Sequence, residues 1–147
     1  MPTQRELKVS VSTTDWDAKA YQQFSRLRQR PVNELLDRVD IKNPKHIYDL
    51  GCGTGIATQA LAKRWPRANL MGIDSSEQML QEARCLPIRA RWKQCDLQNW
   101  QPEQPADLLF AAAVLHFIDD HPQLLPRLLK HLNPGGCLAA HMPDWRD

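Results

Sequence analysis

The residues best suited to chemistry are a run of glycines with an aspartate just before it. The run Asp49-Leu50-Gly51-Cys52-Gly53-Thr54-Gly55 follows a short apolar segment and leads into a segment with helical periodicity. Glycines permit positive φ and let a ligand approach the backbone closely. A dinucleotide site requires G-x-G-x-x-G, and neither way of counting these glycines has the third one in place. A carboxylate at Asp49 would repel a diphosphate and attract an ammonium group, so the loop favours a different ligand.

Two further carboxylates follow the next two predicted strands. Asp74 ends the second strand, 19 residues after Gly55, where an acidic side chain can accept hydrogen bonds from a ribose diol. Asp96 ends the third strand, where its carboxylate can accept from an adenine amino group while the N–H of Leu97 meets a ring nitrogen. Met79 can supply an apolar surface for the same base.

Each of these features also has a simpler interpretation. A glycine loop is often only a tight turn, a terminal aspartate commonly caps a helix, and Met79 can belong to the core. Their coincidence is more informative, because consecutive strands each end in an acidic residue or a glycine loop at the same end of one sheet. The pattern therefore predicts a nucleoside-containing cofactor.

Alternating strands and helices must position these residues. Four apolar runs read as buried strands, and a fifth run, with basic residues on one face, reads as an edge strand. Such alternation implies crossover connections and a parallel sheet, which predicts an α/β, Rossmann-like, doubly wound fold. The predicted strands are His46–Leu50, Asn69–Asp74, Asp107–Ala111, Cys137–Met142 and the edge strand Ile88–Gln94.

Helices are indicated by apolar periodicity and by capping residues. Val32, Leu35, Leu36 and Val39 fall on one helical face. Ser75 with Gln78 predicts a capping box. Pro126 is expected in the first turn of a leucine-lined helix, because deeper inside it would remove a backbone hydrogen bond. The leucines of that face are Leu124, Leu125, Leu128, Leu129 and Leu132, and Asn133-Pro134-Gly135-Gly136 is expected to end the helix and turn into the final strand.

Composition bounds the class of protein. The 147 residues fit one domain, with residues 1–14 expected to form a flexible tail and residues 15–147 the domain. The 19 basic and 17 acidic residues give a formal charge of +2, which argues against a dedicated nucleic-acid binder. We find no membrane-spanning run and no secretory signal, so a cytoplasmic protein without a membrane partner is expected. The four cysteines form no CxxC pair, which predicts no structural metal and no disulfide.

With these motifs assembled, the chain resembles the class I S-adenosylmethionine-dependent methyltransferases, and among them the trans-aconitate methyltransferases. The resemblance covers nearly the whole chain. It is carried by Trp16-Asp17 with Tyr21 and Phe24, Asp49–Gly55, Gly72-Ile73-Asp74-Ser75-Ser76, Met79-Leu80, Asp96-Leu97, Ala106–Phe110, Leu125–Leu129, Pro134-Gly135-Gly136 and Met142-Pro143. It implies a sheet with strand order 3-2-1-4-5 and S-adenosylmethionine as cofactor, with S-adenosylhomocysteine as product.

The resemblance also implies which residues bind the cofactor. Asp49 and the glycine loop would hold its methionine end, Asp74 the ribose, and Asp96 with Leu97 the adenine, while Tyr21 would shield the methyl group from water. At Ala112 this chain departs from similar proteins, which usually carry Asn there. The predicted cofactor-binding residues are Tyr21, Asp49, Gly51, Cys52, Gly53, Gly55, Asp74, Ser75, Met79, Asp96, Leu97 and Ala111.

The implied reaction is methyl transfer to a carboxylate oxygen of a small, trans-aconitate-like acid. Such an acceptor is already ionised at neutral pH, so no general base is required and no catalytic residue is assigned. Similar enzymes continue with two more strands and a cap, which this chain lacks, and the last predicted strand is an unprotected apolar edge. Three alternatives follow: a missing C-terminal half, a homodimer through that strand, or an aggregation hazard. A non-catalytic cofactor-binding module therefore stays open beside the enzyme, and an NAD dehydrogenase is a distant third.

Overall fold

A computed structural model describes residues 27, 29–112 and 121–141 of the chain. The predicted tail at residues 1–14, Tyr21 and Met142 lie outside this part. Five strands and four helices follow one another in it, together with one short 3-10 helix at Leu97–Asn99. The strands are β1 (His46–Leu50), β2 (Asn69–Asp74), β3 (Arg91–Gln94), β4 (Ala106–Ala112) and β5 (Leu132–His141), and the helices are α1 (residues 29–37), α2 (Ile56–Arg64), α3 (Glu77–Ala83) and α4 (His121–Leu129).

The five strands form one sheet in the order β3-β2-β1-β4-β5, and every pairing is parallel. Both the predicted Rossmann-like fold and the predicted strand order are thereby confirmed. Because all strands run the same way, their carboxyl-terminal ends meet at one end of the sheet, where α/β proteins bind their ligands. Within the described residues β3 and β5 are the two edge strands.

Alternate residues of each strand face two separate cores. Ile47, Leu70 and Phe110 pack with α1 and α2 on one face. Leu50 and Ile73 pack on the other face with α4 and with the segment that contains Trp100. The predicted face of α1 is confirmed, since Val32, Leu36 and Val39 are buried in the first core and Leu35 packs against it.

Three strands have different bounds from those predicted. β4 extends one residue beyond the prediction at each end, over Ala106–Ala112. β3 begins only at Arg91, because the N–H of Ile88 bonds the carbonyl of Leu86 in a tight turn. β5 begins at Leu132, so the turn predicted at residues 133–136 is wrong. Leu132 pairs with Ala106 and Cys137 with Leu108, which makes the residues between them a bulge inside the strand.

Two predictions about helices are also wrong. The N-cap of α3 is Ser76 and not Ser75, since the Ser76 hydroxyl accepts the N–H of Met79 at 3.3 Å. Pro126 lies inside α4 and not in its first turn. Leu128 of the same helix is fully buried in the core that contains Trp100. Leu132 belongs to β5 and so does not extend the leucine face.

The four cysteines are free, and only Cys52 is buried. Among the described helices, none combines the length and apolar character that a bilayer crossing requires.

Candidate functional site

The glycine run forms a compact loop between β1 and α2. Its glycines all adopt left-handed backbone angles, with φ of 68° at Gly51, 56° at Gly53 and 93° at Gly55. The N–H of Cys52 donates to the carbonyl of Ile73 at 2.9 Å, which fixes the loop to the end of β2. A Cβ at Gly53 would meet no atom within 4 Å, so the loop is open on that side. The backbone N–H and carbonyl groups of the loop therefore lie next to space that a ligand can enter.

Asp49 lies beneath this loop as a buried carboxylate. Its side chain is only 1% exposed, and its Oδ2 accepts a hydrogen bond of 2.6 Å from the hydroxyl of Thr58 in the first turn of α2. Burying a charge demands such compensation. Thr58 was missed by sequence reasoning. A hydroxyl residue beside Ala57 and Leu61 on the buried side of a helix was the signal that could have found it.

Asp74 joins the glycine loop to the segment that follows β2. Its Oδ2 accepts the N–H of Gly53 and its Oδ1 accepts the N–H of Ser76, both at 2.8 Å. The side chain is half-buried. Each carboxylate oxygen has two acceptor sites, so hydroxyl groups of a ligand can still bind to it.

The two carboxylates converge on Cys52. Burial and the nearby charges of Asp49 and Asp74 raise the pKa of the Cys52 thiol far above its ordinary value. The thiol is therefore protonated at neutral pH. The same negative field that suppresses a thiolate would stabilise a cationic ligand, as the sequence predicted for this loop.

Asp96 lies just beyond the end of β3. The N–H of the preceding residue, Cys95, bonds the carbonyl of Asp74 at 3.0 Å, which places Asp96 at the same end of the sheet as the glycine loop. Its Oδ1 accepts the N–H of Gln98 at 3.0 Å and caps the 3-10 helix. Arg127 supports this segment by donating to the carbonyls of Leu97 and Trp100 at 2.7 and 2.8 Å.

The remaining predicted site residues are placed differently from one another. Met79 is 43% exposed, so the simpler interpretation of this residue as core is wrong. Ser75 is exposed next to Asp74. Ala111 has no exposed surface and packs in the core on the α4 face, away from open space. Tyr21 lies outside the described residues, so its proximity to the loop stays a prediction.

A tryptophan that sequence reasoning missed packs beside the loop. A Cβ at Gly72 would lie 2.6 Å from the Trp92 ring and 2.9 Å from Cys52 Sγ, so only glycine fits between them. A Cβ at Gly55 would lie 3.3 Å from the same ring. Trp92 is thus part of the support that shapes the glycine loop. Its pairing with Gly72 across two strands was the available signal.

Asp49 inside β1, Asp74 at the end of β2 and Asp96 just beyond β3 thus lie towards one end of the sheet. The loop beside them leaves space for a ligand. Such a set can bind an ammonium group, accept hydrogen bonds from hydroxyl groups and bind a base at an exposed carboxylate. The thiol of Cys52 is held protonated, which disfavours it as a nucleophile.

Comparison with known proteins agrees with this geometry. A family profile described as a methyltransferase domain matches residues 47–136. Trans-aconitate 2-methyltransferase of Pseudomonas paraeruginosa is 69% identical over 91% of this chain and 49% of its own length. The enzyme of the same name from Escherichia coli is 47% identical over 89% of this chain and 52% of its own. The chain therefore spans about half the length of these curated relatives.

Solved structures with the same architecture point the same way. A plantazolicin methyltransferase, BpumL, in complex with SAH superposes with a TM-score of 0.63 at 25% identity, covering 88% of this chain and 56% of that chain. DesVI of Streptomyces venezuelae superposes with a TM-score of 0.74 over 92% of this chain and 60% of its own, and at 17% identity it shows the fold alone. From the sheet order, the glycine loop and the matched profile together, the chain belongs to the methyltransferase-domain family.

Proposed function

We propose that the chain is the S-adenosylmethionine-binding part of an O-methyltransferase that acts on a small carboxylic acid such as trans-aconitate. The observation that carries the proposal is the connection between loop and carboxylates: Asp49 lies buried beneath the glycines, and Asp74 accepts the N–H of Gly53. The acceptor class is suggested by the curated relatives, two of which are named trans-aconitate 2-methyltransferase at 69% and 65% identity.

The described residues fit this cofactor. Asp49 and Asp74 create a negative field suited to an ammonium group and a sulfonium, and Asp74 retains acceptor capacity for the ribose hydroxyls. The exposed Asp96 carboxylate suits the amino group of adenine. Open space beside Gly53 lets the ligand approach the backbone.

When bound, the cofactor supplies an electrophilic methyl group. The protein's own task is then to orient donor and acceptor, which can provide several kcal/mol of the barrier, of the order of 7–11 in well-aligned systems. A carboxylate acceptor needs no proton removed at neutral pH. This explains how a site without an evident base or nucleophile among its described residues can serve the reaction.

Calorimetric titration of the chain with S-adenosylhomocysteine tests the cofactor assignment. We expect saturable binding, and we expect Asp74→Asn to weaken it about ten- to hundred-fold, because a hydrogen bond to a charged group contributes about 1.5–3 kcal/mol. The matched control is Asp40→Asn, which removes an exposed carboxylate before β1 and should leave affinity unchanged. Absence of heat and of a thermal shift with the unmodified chain would refute the assignment.

A second candidate is a cofactor-binding module without turnover that pairs through β5. It is favoured by the position of β5 at the edge of the described sheet, where Cys137–Ala140 carries no charged side chain to discourage pairing. Transfer of a labelled methyl group to trans-aconitate separates the candidates. Product supports the enzyme, whereas binding of S-adenosylhomocysteine without product supports the module. Tight binding of NADH would instead support a dinucleotide-binding site.

A further inference from the structure

Two described histidines each have a buried ring nitrogen without a hydrogen-bond partner. The atoms are His131 Nε2 and His141 Nδ1. Buried polar atoms are nearly always paired, so each exception requires an explanation. His131 precedes β5 at the amino-terminal end of the sheet, and its ring packs edge-on against Trp100 with the ring centroids 6.1 Å apart. His131 therefore lies at the end of the sheet opposite the candidate site, and of the two histidines only His141 can bear on that site.

His141 lies at the end of the sheet where the candidate site is. It is the last residue of β5 and pairs in register with Ala112, the last residue of β4. On the neighbouring strand Asp49 pairs with Phe110, two residues before Ala112. His141 is therefore level with the start of the glycine loop and two strands away, which is roughly 10 Å at a strand spacing of about 4.8 Å.

His141 also lies on the same face of the sheet as Asp49. Cys137 and Ala139 belong to the core under α1 and α2, while Leu138 belongs to the opposite core. Alternation along a strand then places His141 on the α1 and α2 face. Asp49 is on this face too, because its partner Thr58 belongs to α2.

At the neighbouring tip of β4, Ala112 offers no polar side-chain atom. Of the described residues at the tips of β4 and β5, which are Ala111, Ala112, Ala140 and His141, only His141 has a polar side chain. Burial lowers the pKa of the His141 imidazole below its ordinary value, so at neutral pH the ring is uncharged and carries one N–H donor.

We propose that His141 is a specificity-determining residue that recognises the acceptor acid, with its unpaired Nδ1 donating a hydrogen bond to a carboxylate of that acid. The inference rests on the proposed function, because the acid must bind beside the cofactor. An uncharged donor selects for a carboxylate through geometry and leaves the acceptor oxygen its nucleophilic lone pairs. The other carboxylates of the acid would be bound by other residues.

The test is an NMR titration of the chain saturated with S-adenosylhomocysteine, following the ring signals of its histidines as trans-aconitate is added. We expect the His141 signal to shift saturably and the His131 signal to stay in place. His141→Leu should weaken binding of the acid at least ten-fold. His141→Asn, whose amide nitrogen takes the place of Nδ1, should retain binding to within about three-fold.

Two controls separate the possible failures. The affinity of each variant for S-adenosylhomocysteine should equal that of the unmodified chain, which also verifies folding, and His131→Asn should leave binding of the acid unchanged. The trimethyl ester of trans-aconitate, which has no carboxylate, should not shift the His141 signal. Failure of the unmodified chain to bind S-adenosylhomocysteine refutes the proposed function. Normal binding of that ligand with a stationary His141 signal, or with unimpaired acid binding by His141→Leu, overturns this inference alone.

Discussion

Adding one methyl group at Gly53 tests ligand binding separately from folding, because the substitution should weaken the affinity for the ligand while it lowers the stability of the chain only slightly. Its φ is 56°, and a Cβ built there would meet no atom within 4 Å. In Gly53→Ala the cost to the free chain is therefore backbone strain alone, about 1–2 kcal/mol for a left-handed alanine. The reduced entropy of the unfolded chain offsets about 0.4–1 kcal/mol of it. A net loss near 1 kcal/mol should lower Tm by about 3 °C in a domain of this size.

The effect on ligand affinity should be at least as large in free energy. The new methyl group enters the open space next to the point where the Gly53 N–H binds Asp74. If the cofactor occupies that space, forcing a methyl group into the contact costs about 1–3 kcal/mol. We therefore expect the Kd for S-adenosylhomocysteine to rise about ten- to hundred-fold in calorimetric titrations.

Gly135→Ala is the matched control. Gly135 has a φ of 81° with nothing within 4 Å of a built Cβ, but it lies in the bulge of β5, far along the chain from the loop. It should lose a similar few degrees of Tm and keep the affinity of the unmodified chain. Equal affinities in both variants would refute the placement of the ligand at Gly53. A much larger loss of Tm in Gly53→Ala than in Gly135→Ala would refute the claim that the loop is open there.

Three further predictions follow from the described contacts. Thr58→Val removes the hydroxyl that donates to buried Asp49 and should lower the free energy of unfolding by about 1–3 kcal/mol in urea melts, whereas Thr58→Ser, which keeps the hydroxyl, should lose less than half of that. Burial raises the pKa of Asp107, but hydrogen bonds from Asn133 and from the N–H groups of His46 and Lys45 outweigh it and hold the pKa below its usual 3.8. This carboxylate should thus stabilise the fold above about pH 4 and lose that contribution as the pH falls through its lowered pKa. The difference in free energy of unfolding between the unmodified chain and Asp107→Asn should therefore shrink in acid. A difference that does not change with pH would contradict this linkage. In alkylation followed by mass spectrometry, exposed Cys85 should react well before Cys52, whose pKa is raised by burial and by nearby carboxylates, and faster labelling of Cys52 would contradict its burial.

The central strands β1, β2 and β4 were predictable because each is a short, mostly buried apolar run. β1 and β2 have the predicted bounds, since each is buried on both faces and its apolar run is interrupted by Gly51 after β1 and by Asp74 at the end of β2. The start of β5 was not predictable from local signals, because Asn133-Pro134-Gly135-Gly136 has the composition of a turn. Only pairing with β4 on both sides makes it a bulge, and pairing is a property of the sheet as a whole.

The candidate site shows the same division. The placement of Asp49, Asp74 and Asp96 towards one end of the sheet could be predicted, because the strands are recognisable in the sequence and parallel strands share one end. That these residues bind a cofactor stays a prediction. Thr58 and Trp92 were missed because their importance depends on what lies across a helix or a strand from them. Ala111 was predicted from its place near the tip of β4, but alternation directs it into the core. A shift of one residue along the strand moves a side chain to the opposite face of the sheet, so a prediction near a strand tip depends on the exact register.

The bulge of β5 has a consequence for how this sheet can change over generations. Asp107 alone faces residues 133–136, and regular pairing resumes at Cys137 and continues to His141. Insertions or deletions around the unhindered Gly135 can be absorbed locally, whereas Gly136, whose Cβ would lie 2.9 Å from the Asn133 carbonyl oxygen, must keep its place. A change of length near the start of β5 therefore leaves the position of His141, at the end of the same strand, unchanged.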